Sequence, residues 1–92
     1  MIRSIRHRGL KRLFEHDDRS KLHPDLVDRI VRILTRLNVA GSIDDMNMQG
    51  FGLHRLSGDL KGFWSVTVSH NWRIIFRFEE SDVFDVDFVD YH

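Results

Sequence analysis

Phe63-Trp64-Ser65-Val66-Thr67-Val68-Ser69-His70-Asn71-Trp72-Arg73-Ile74-Ile75-Phe76-Arg77-Phe78 is the stretch that decides the fold. Large apolar and β-branched residues run on both sides of Ser69-His70-Asn71, which predicts strands near 63–68 and 72–78 joined by a hairpin loop. So short a connection forces an antiparallel pair, because a parallel return needs a crossover of about a dozen residues or more. Downstream, Glu79-Glu80-Ser81-Asp82 turns the chain into a strand near 83–91, where alternation puts Phe84, Val86 and Phe88 on one face. Upstream, Gly52-Leu53-His54-Arg55-Leu56 predicts a strand near 52–56, with Ser57-Gly58-Asp59 as the turn. Ile2 and Ile5 allow a further short edge strand.

Before Gly52 the apolar period is helical. Leu10, Leu13 and Phe14 predict a helix over about 7–16. Pro24, suited to a first helical turn, opens a second helix over about 24–39. Its apolar stripe is Leu26, Ile30, Ile33, Leu34 and Leu37, with Arg29, Arg32 and Arg36 opposite. Gly41 is its natural stop, and Ser42 to Met46 fits one capped turn. The expected architecture is α+β: two N-terminal helices on one face of a mostly antiparallel sheet of four to five strands. Residues 1–92 are expected to form a single domain, with no repeat or linker.

Composition narrows the function classes. With no cysteine, the chain has no disulfide, thiolate nucleophile or thiolate metal site, which fits a reducing cytoplasm. No apolar run approaches the ~20 residues of a membrane span, and no membrane partner is expected. Net charge is zero, yet residues 1–39 hold ten Lys/Arg against five Asp/Glu, and residues 40–92 hold four against nine. The basic half suits phosphate or an acidic partner as well as a solvated helix face. The six histidines show no two-ligand spacing on one element, so no metal site is expected. His16, His23 and His70 read as loop residues, and Trp64 and Trp72 as strand aromatics of the core.

Chemistry gathers on the strand face away from the helices. If Trp72, Ile74, Phe76 and Phe78 lie beneath the helices, then Arg73, Ile75 and Arg77 point to a face that nothing remains to cover. Arg73 is then expected in the middle of an open surface, with His54 on a neighbouring strand and Tyr91-His92 at the end of another. Arg73 offers a permanently charged planar fork to phosphate oxygens, whereas histidines transfer protons near neutrality. Asp90 falls on the Phe88 face by alternation, and so orients a neighbour rather than meeting substrate.

Gly58-Asp59-Leu60-Lys61-Gly62-Phe63-Trp64-Ser65, the Asn71-Trp72-Ile74 region around Arg73, and the closing Asp90-Tyr91-His92 resemble the HigB branch of the RelE/ParE toxin superfamily. The resemblance covers the whole chain and implies a RelE-like fold. It also implies a cytoplasmic toxin of a type II toxin–antitoxin pair that cuts mRNA in the A site of the 70S ribosome, without cofactor. Position by position it points to His54, Arg73, Asp90, Tyr91 and His92 as catalytic, with Arg55, Lys61 and Arg77 assisting contact with mRNA and ribosomal RNA. The implied partner is a cognate helix-turn-helix antitoxin, through which operator DNA is bound indirectly. Arg29, Arg32 and Arg36 are a candidate docking surface for it. Two departures stand out. Ser57 and Ser69 occupy places where relatives often carry Lys or Arg, and zero net charge is low for a ribosome binder. The rival reading is a non-catalytic binder on the same fold, acting on a protein such as DNA gyrase. Two histidines flanking an arginine speak against that, since a binder has no use for them.

Overall fold

The computed structural model describes residues 1–90; the expectations for Tyr91 and His92 fall outside them. Helix α1 spans Arg8–His16 and α2 spans Pro24–Val39, followed by a single 3₁₀ turn at Ile43–Met46. The sheet comprises β1 (His54–Arg55), β2 (Trp64–Thr67), β3 (Trp72–Glu79) and β4 (Asp82–Asp90), with another 3₁₀ turn at Gly58–Leu60. Strand order is β1-β2-β3-β4, every neighbour antiparallel, as the short connections require. Ile2 and Ile5 bridge to Val83 and Val86 in parallel fashion, so the N-terminal segment covers the outer edge of β4.

The helix ends follow from local chemistry. His7 caps α1 by accepting the Leu10 N–H, and His23 caps α2 by accepting the Asp25 N–H. Asp17 closes α1 in the left-handed region at φ 54°, returning its N–H to Leu13. The buried stripes, Leu10 and Leu13 on α1 and Val27, Ile30, Ile33, Leu34 and Leu37 on α2, then pack on one face of the sheet. Val66, Ile74, Phe76, Val83 and Val86 meet them from β2, β3 and β4, each fully buried.

Three expectations are corrected. Strand β1 keeps only two residues of the expected 52–56, because Gly52 sits at φ 59°. A Cβ there would lie 2.9 Å from the Thr67 hydroxyl, so the backbone passes β2 too closely for any other residue. Phe84 does not share a face with Val86 and Phe88. Asp85 adopts φ 56°, and the β3–β4 register shifts between Ile75 and Arg77. This bulge turns Val83 and Val86 both towards the helices and leaves Phe84 beside Arg77 on the far face. That far face is not wholly open either. Ile75 is buried at 3% exposure beneath Leu56 and Phe63, with Leu60 and Val89 packed around them. The segment between β1 and β2 folds back as a small second core.

Candidate active site

The strand registers fix which side chains share the far face. His54 pairs with Ser65, Ser65 with Ile75, and Ile75 with Asp87, which makes one row. The next row holds Thr67, Arg73 and Val89. His54 and Arg73 therefore stand on the same face, two strands and two residues apart, roughly 12 Å between Cα atoms from ordinary sheet spacing. His54 is exposed, whereas Arg73 is half-buried.

Arg73 does not lie over the middle of the sheet. Its Nη1 donates to the carbonyls of Ser69 at 2.8 Å, Trp72 at 3.1 Å and His70 at 3.3 Å. The guanidinium is drawn to the hairpin between β2 and β3, joining the turn carbonyls of Ser69 and His70 to that of Trp72, which also accepts from the Val68 and Ser69 N–H groups. The hairpin thus orients the cation, and the cation stiffens the hairpin. Asp90 pairs in register with Trp72 on the helix side, as alternation required, and is exposed.

The three assisting cations separate. Arg55 pairs with Trp64 and its guanidinium lies 5.4 Å from that ring, on the helix side rather than beside His54. Arg77 is on the far face but donates to Asp85 at 2.8 Å and Glu79 at 2.6 Å. Hydrogen bonding from Arg77 is the main reason the Asp85 carboxyl is held below its ordinary range, with the charges of Arg6 and Arg77 adding to it. Lys61 is exposed just after the Gly58–Leu60 turn.

Sequence reasoning missed several roles. His7 and His23 are helix caps, a use of histidine that no spacing rule announces. Arg29 is half-buried, donating to the carbonyls of Thr67 at 3.0 Å and Gly50 at 2.6 Å, and Arg36 donates to that of Asp45 at 3.1 Å. Of the expected docking arginines, two are thus clamps that tie α2 to loops. Arg32 is exposed.

The family model for the RelE-like toxin of the type II toxin–antitoxin system HigB matches residues 3–92. This chain belongs to the HigB-like toxin family. The HigB-like toxin is 44% identical to Endoribonuclease HigB of Proteus vulgaris over 92 residues, covering all of both proteins. Its fold is that of the YoeB–YefM toxin–antitoxin complexes of Staphylococcus aureus. One, a heterotetramer, matches with a TM-score of 0.63 at 15% identity, and another with 0.60 at 13%. Each covers 100% of this chain and 95% of the other. As a toxin of a type II pair, the HigB-like protein has an antitoxin as its counterpart. Among the described residues, no helix is long and apolar enough to cross a membrane.

Proposed function

We propose that this toxin is a ribosome-dependent endoribonuclease that cleaves mRNA in the A site and so stops translation in the cytoplasm. The observation that carries the reading is full-length 44% identity to a relative named an endoribonuclease. RNA supplies its own nucleophile, so no cofactor or metal enters the scheme. A base withdraws the 2′-OH proton, and the oxygen attacks the adjacent phosphorus. The 5′-oxygen then leaves with a proton from an acid, giving a 2′,3′-cyclic phosphate and a 5′-OH end.

His54 and His92 are the proton-transfer pair, Arg73 neutralises the developing phosphorane, Tyr91 stacks on a base or donates its hydroxyl, and Asp90 orients its neighbours. The His54–Arg73 spacing supports this, since it leaves the width of β2 between them for a ribose and its phosphate. Lys61 contacts the surrounding RNA, Arg55 meets it from the helix side, and Arg77 contributes only as far as its Asp85 and Glu79 pairs release it. The whole chain acts as one toxin domain, restrained by a helix-turn-helix antitoxin that carries the pair to operator DNA. The test is to induce the wild-type chain and His92→Ala in cells and map mRNA 5′ ends. New ends in translated regions are expected only with the wild type. Their absence from both, or their presence in both, overturns the reading or the assignment respectively.

A further inference from the structure

A cleft opens on the helix side of the sheet, at the end where β3 begins and β4 finishes. Its volume is about 290 Å³, and His7, Lys21, His23, Leu26, Trp72 and Phe88 line it. Small-molecule pockets run from roughly 300 to 1,000 Å³, so this one suits a single ring system. Trp72 and Phe88, both half-buried, stack with centroids 4.7 Å apart and planes 23° from parallel. His7 meets Phe88 edge-on at 5.6 Å.

The polar chemistry of the walls is one-sided. His7 Nδ1 accepts the Leu10 N–H at 3.2 Å, and His23 Nδ1 accepts the Asp25 N–H at 3.1 Å. A ring nitrogen that accepts carries no proton, so each neutral imidazole holds its proton on Nε2 and is a donor there. Lys21 adds an ammonium with three more donors. Among the described lining residues none is a carboxylate; nearby, Asp25 lies 3.9 Å from His23 Nδ1, and Asp90 is the register partner of Trp72. A cleft with aromatic walls and donor side chains suits a flat ring with acceptors along its edge. A nucleobase has both features, whereas an aliphatic side chain would leave the donors unmatched.

We infer that this cleft seats a nucleobase of the RNA substrate beside the scissile bond, lying against the Trp72–Phe88 pair and held at its edge by Lys21, His7 and His23. The inference rests on the endoribonuclease reading above. Trp72 is the chain neighbour of Arg73 and the register partner of Asp90, so RNA held at Arg73 reaches the cleft by rounding the end of the sheet.

The test uses full-length Lys21→Ala/His23→Asn, in which Asn retains a helix-capping side chain, and Leu26→Trp, which fills the cleft. Cleavage of a defined mRNA on programmed ribosomes is measured as kcat and KM, and 5′ ends are mapped. KM is expected to rise about tenfold in Leu26→Trp, in line with the loss of one stacked base, and severalfold in Lys21→Ala/His23→Asn, with a smaller change in kcat and redistributed cleavage sites. Wild-type cleavage with the KM and site map unchanged in both folded variants overturns the cleft assignment alone. So does normal cleavage with lost antitoxin capture, which would give the cleft to a protein partner. A wild-type chain that cuts no RNA overturns the endoribonuclease reading and this inference with it.

Discussion

Arg73 carries two duties at once, and its substitution separates them. Arg73→Ala removes the phosphorane's counter-charge, for which a loss of ~10²–10³ in rate is expected. It also strips a partner from the carbonyls of Ser69, His70 and Trp72, costing about 1–3 kcal/mol of a total near 5–15 kcal/mol. The variant should therefore fold with a lowered Tm and cut RNA very slowly. Arg73→Lys should keep the charge but lose the planar fork, falling between the two in rate. Near-normal cleavage by folded Arg73→Ala would remove Arg73 from the chemistry. His23→Ala tests the capping role at the same scale: a helix cap is worth about 1 kcal/mol, readable as a drop in Tm.

Strand β4 is held by charge as well as by its ladder. Arg77 and Arg6 converge on Asp85 at the bulge, while Asp82 receives Arg3. The folded Asp85 carboxyl titrates below the ordinary value of 3.8. Its contribution to stability is complete above that value and is lost as pH falls through the lowered folded one. Asp45, held low by the backbone N–H groups of Gly41 and Ser42, acts in the same direction. Tm should stay level from pH 7 to 5 as far as these groups decide it, and fall below about pH 4. Asp85→Asn should lower Tm at pH 7 and shallow the acid limb. An acid limb as steep in the variant as in the wild type would show that the bulge pair contributes nothing. In the helix-side core, Phe76→Ala removes a fully buried ring and should cost about 3–5 kcal/mol, enough to threaten folding.

At the scale of the whole molecule, the charge asymmetry persists, but many of its cations are already engaged. Arg29 and Arg36 are tied to backbone carbonyls, and Arg12, Arg19 and Arg77 to carboxylates. Fewer cations are thus at the disposal of RNA phosphates than the count of Lys and Arg suggests. Each phosphate contact to a single strand contributes about −0.7 to the slope of log affinity against log salt. Ribosome association should therefore show a shallow slope, equivalent to only a few contacts; co-sedimentation across a salt series measures it. Purification with the native operon expressed should yield the toxin with its antitoxin bound, and Arg32→Glu then asks whether the exposed arginine of α2 lies in that contact.

The sequence alone determined the antiparallel connections, both helices and the candidate residues. Each depends on short-range facts: a period of 2 or 3.6, the reach of a three-residue connection, the fixed φ of Pro24. The tertiary structure decided what those facts leave open. Alternation assigns Ile75 to the far face but says nothing of a loop folding Leu56 and Phe63 over it. It also assumes an unbroken ladder, so one left-handed residue, Asp85, was enough to send Phe84 to the other side. Charge counts treat every arginine alike, whereas only the folded chain brings the Ser69, Gly50 and Asp45 carbonyls within reach of Arg73, Arg29 and Arg36. Period and turn chemistry are written locally; cover, register shifts and the partners of a charge are set by how the folded segments meet.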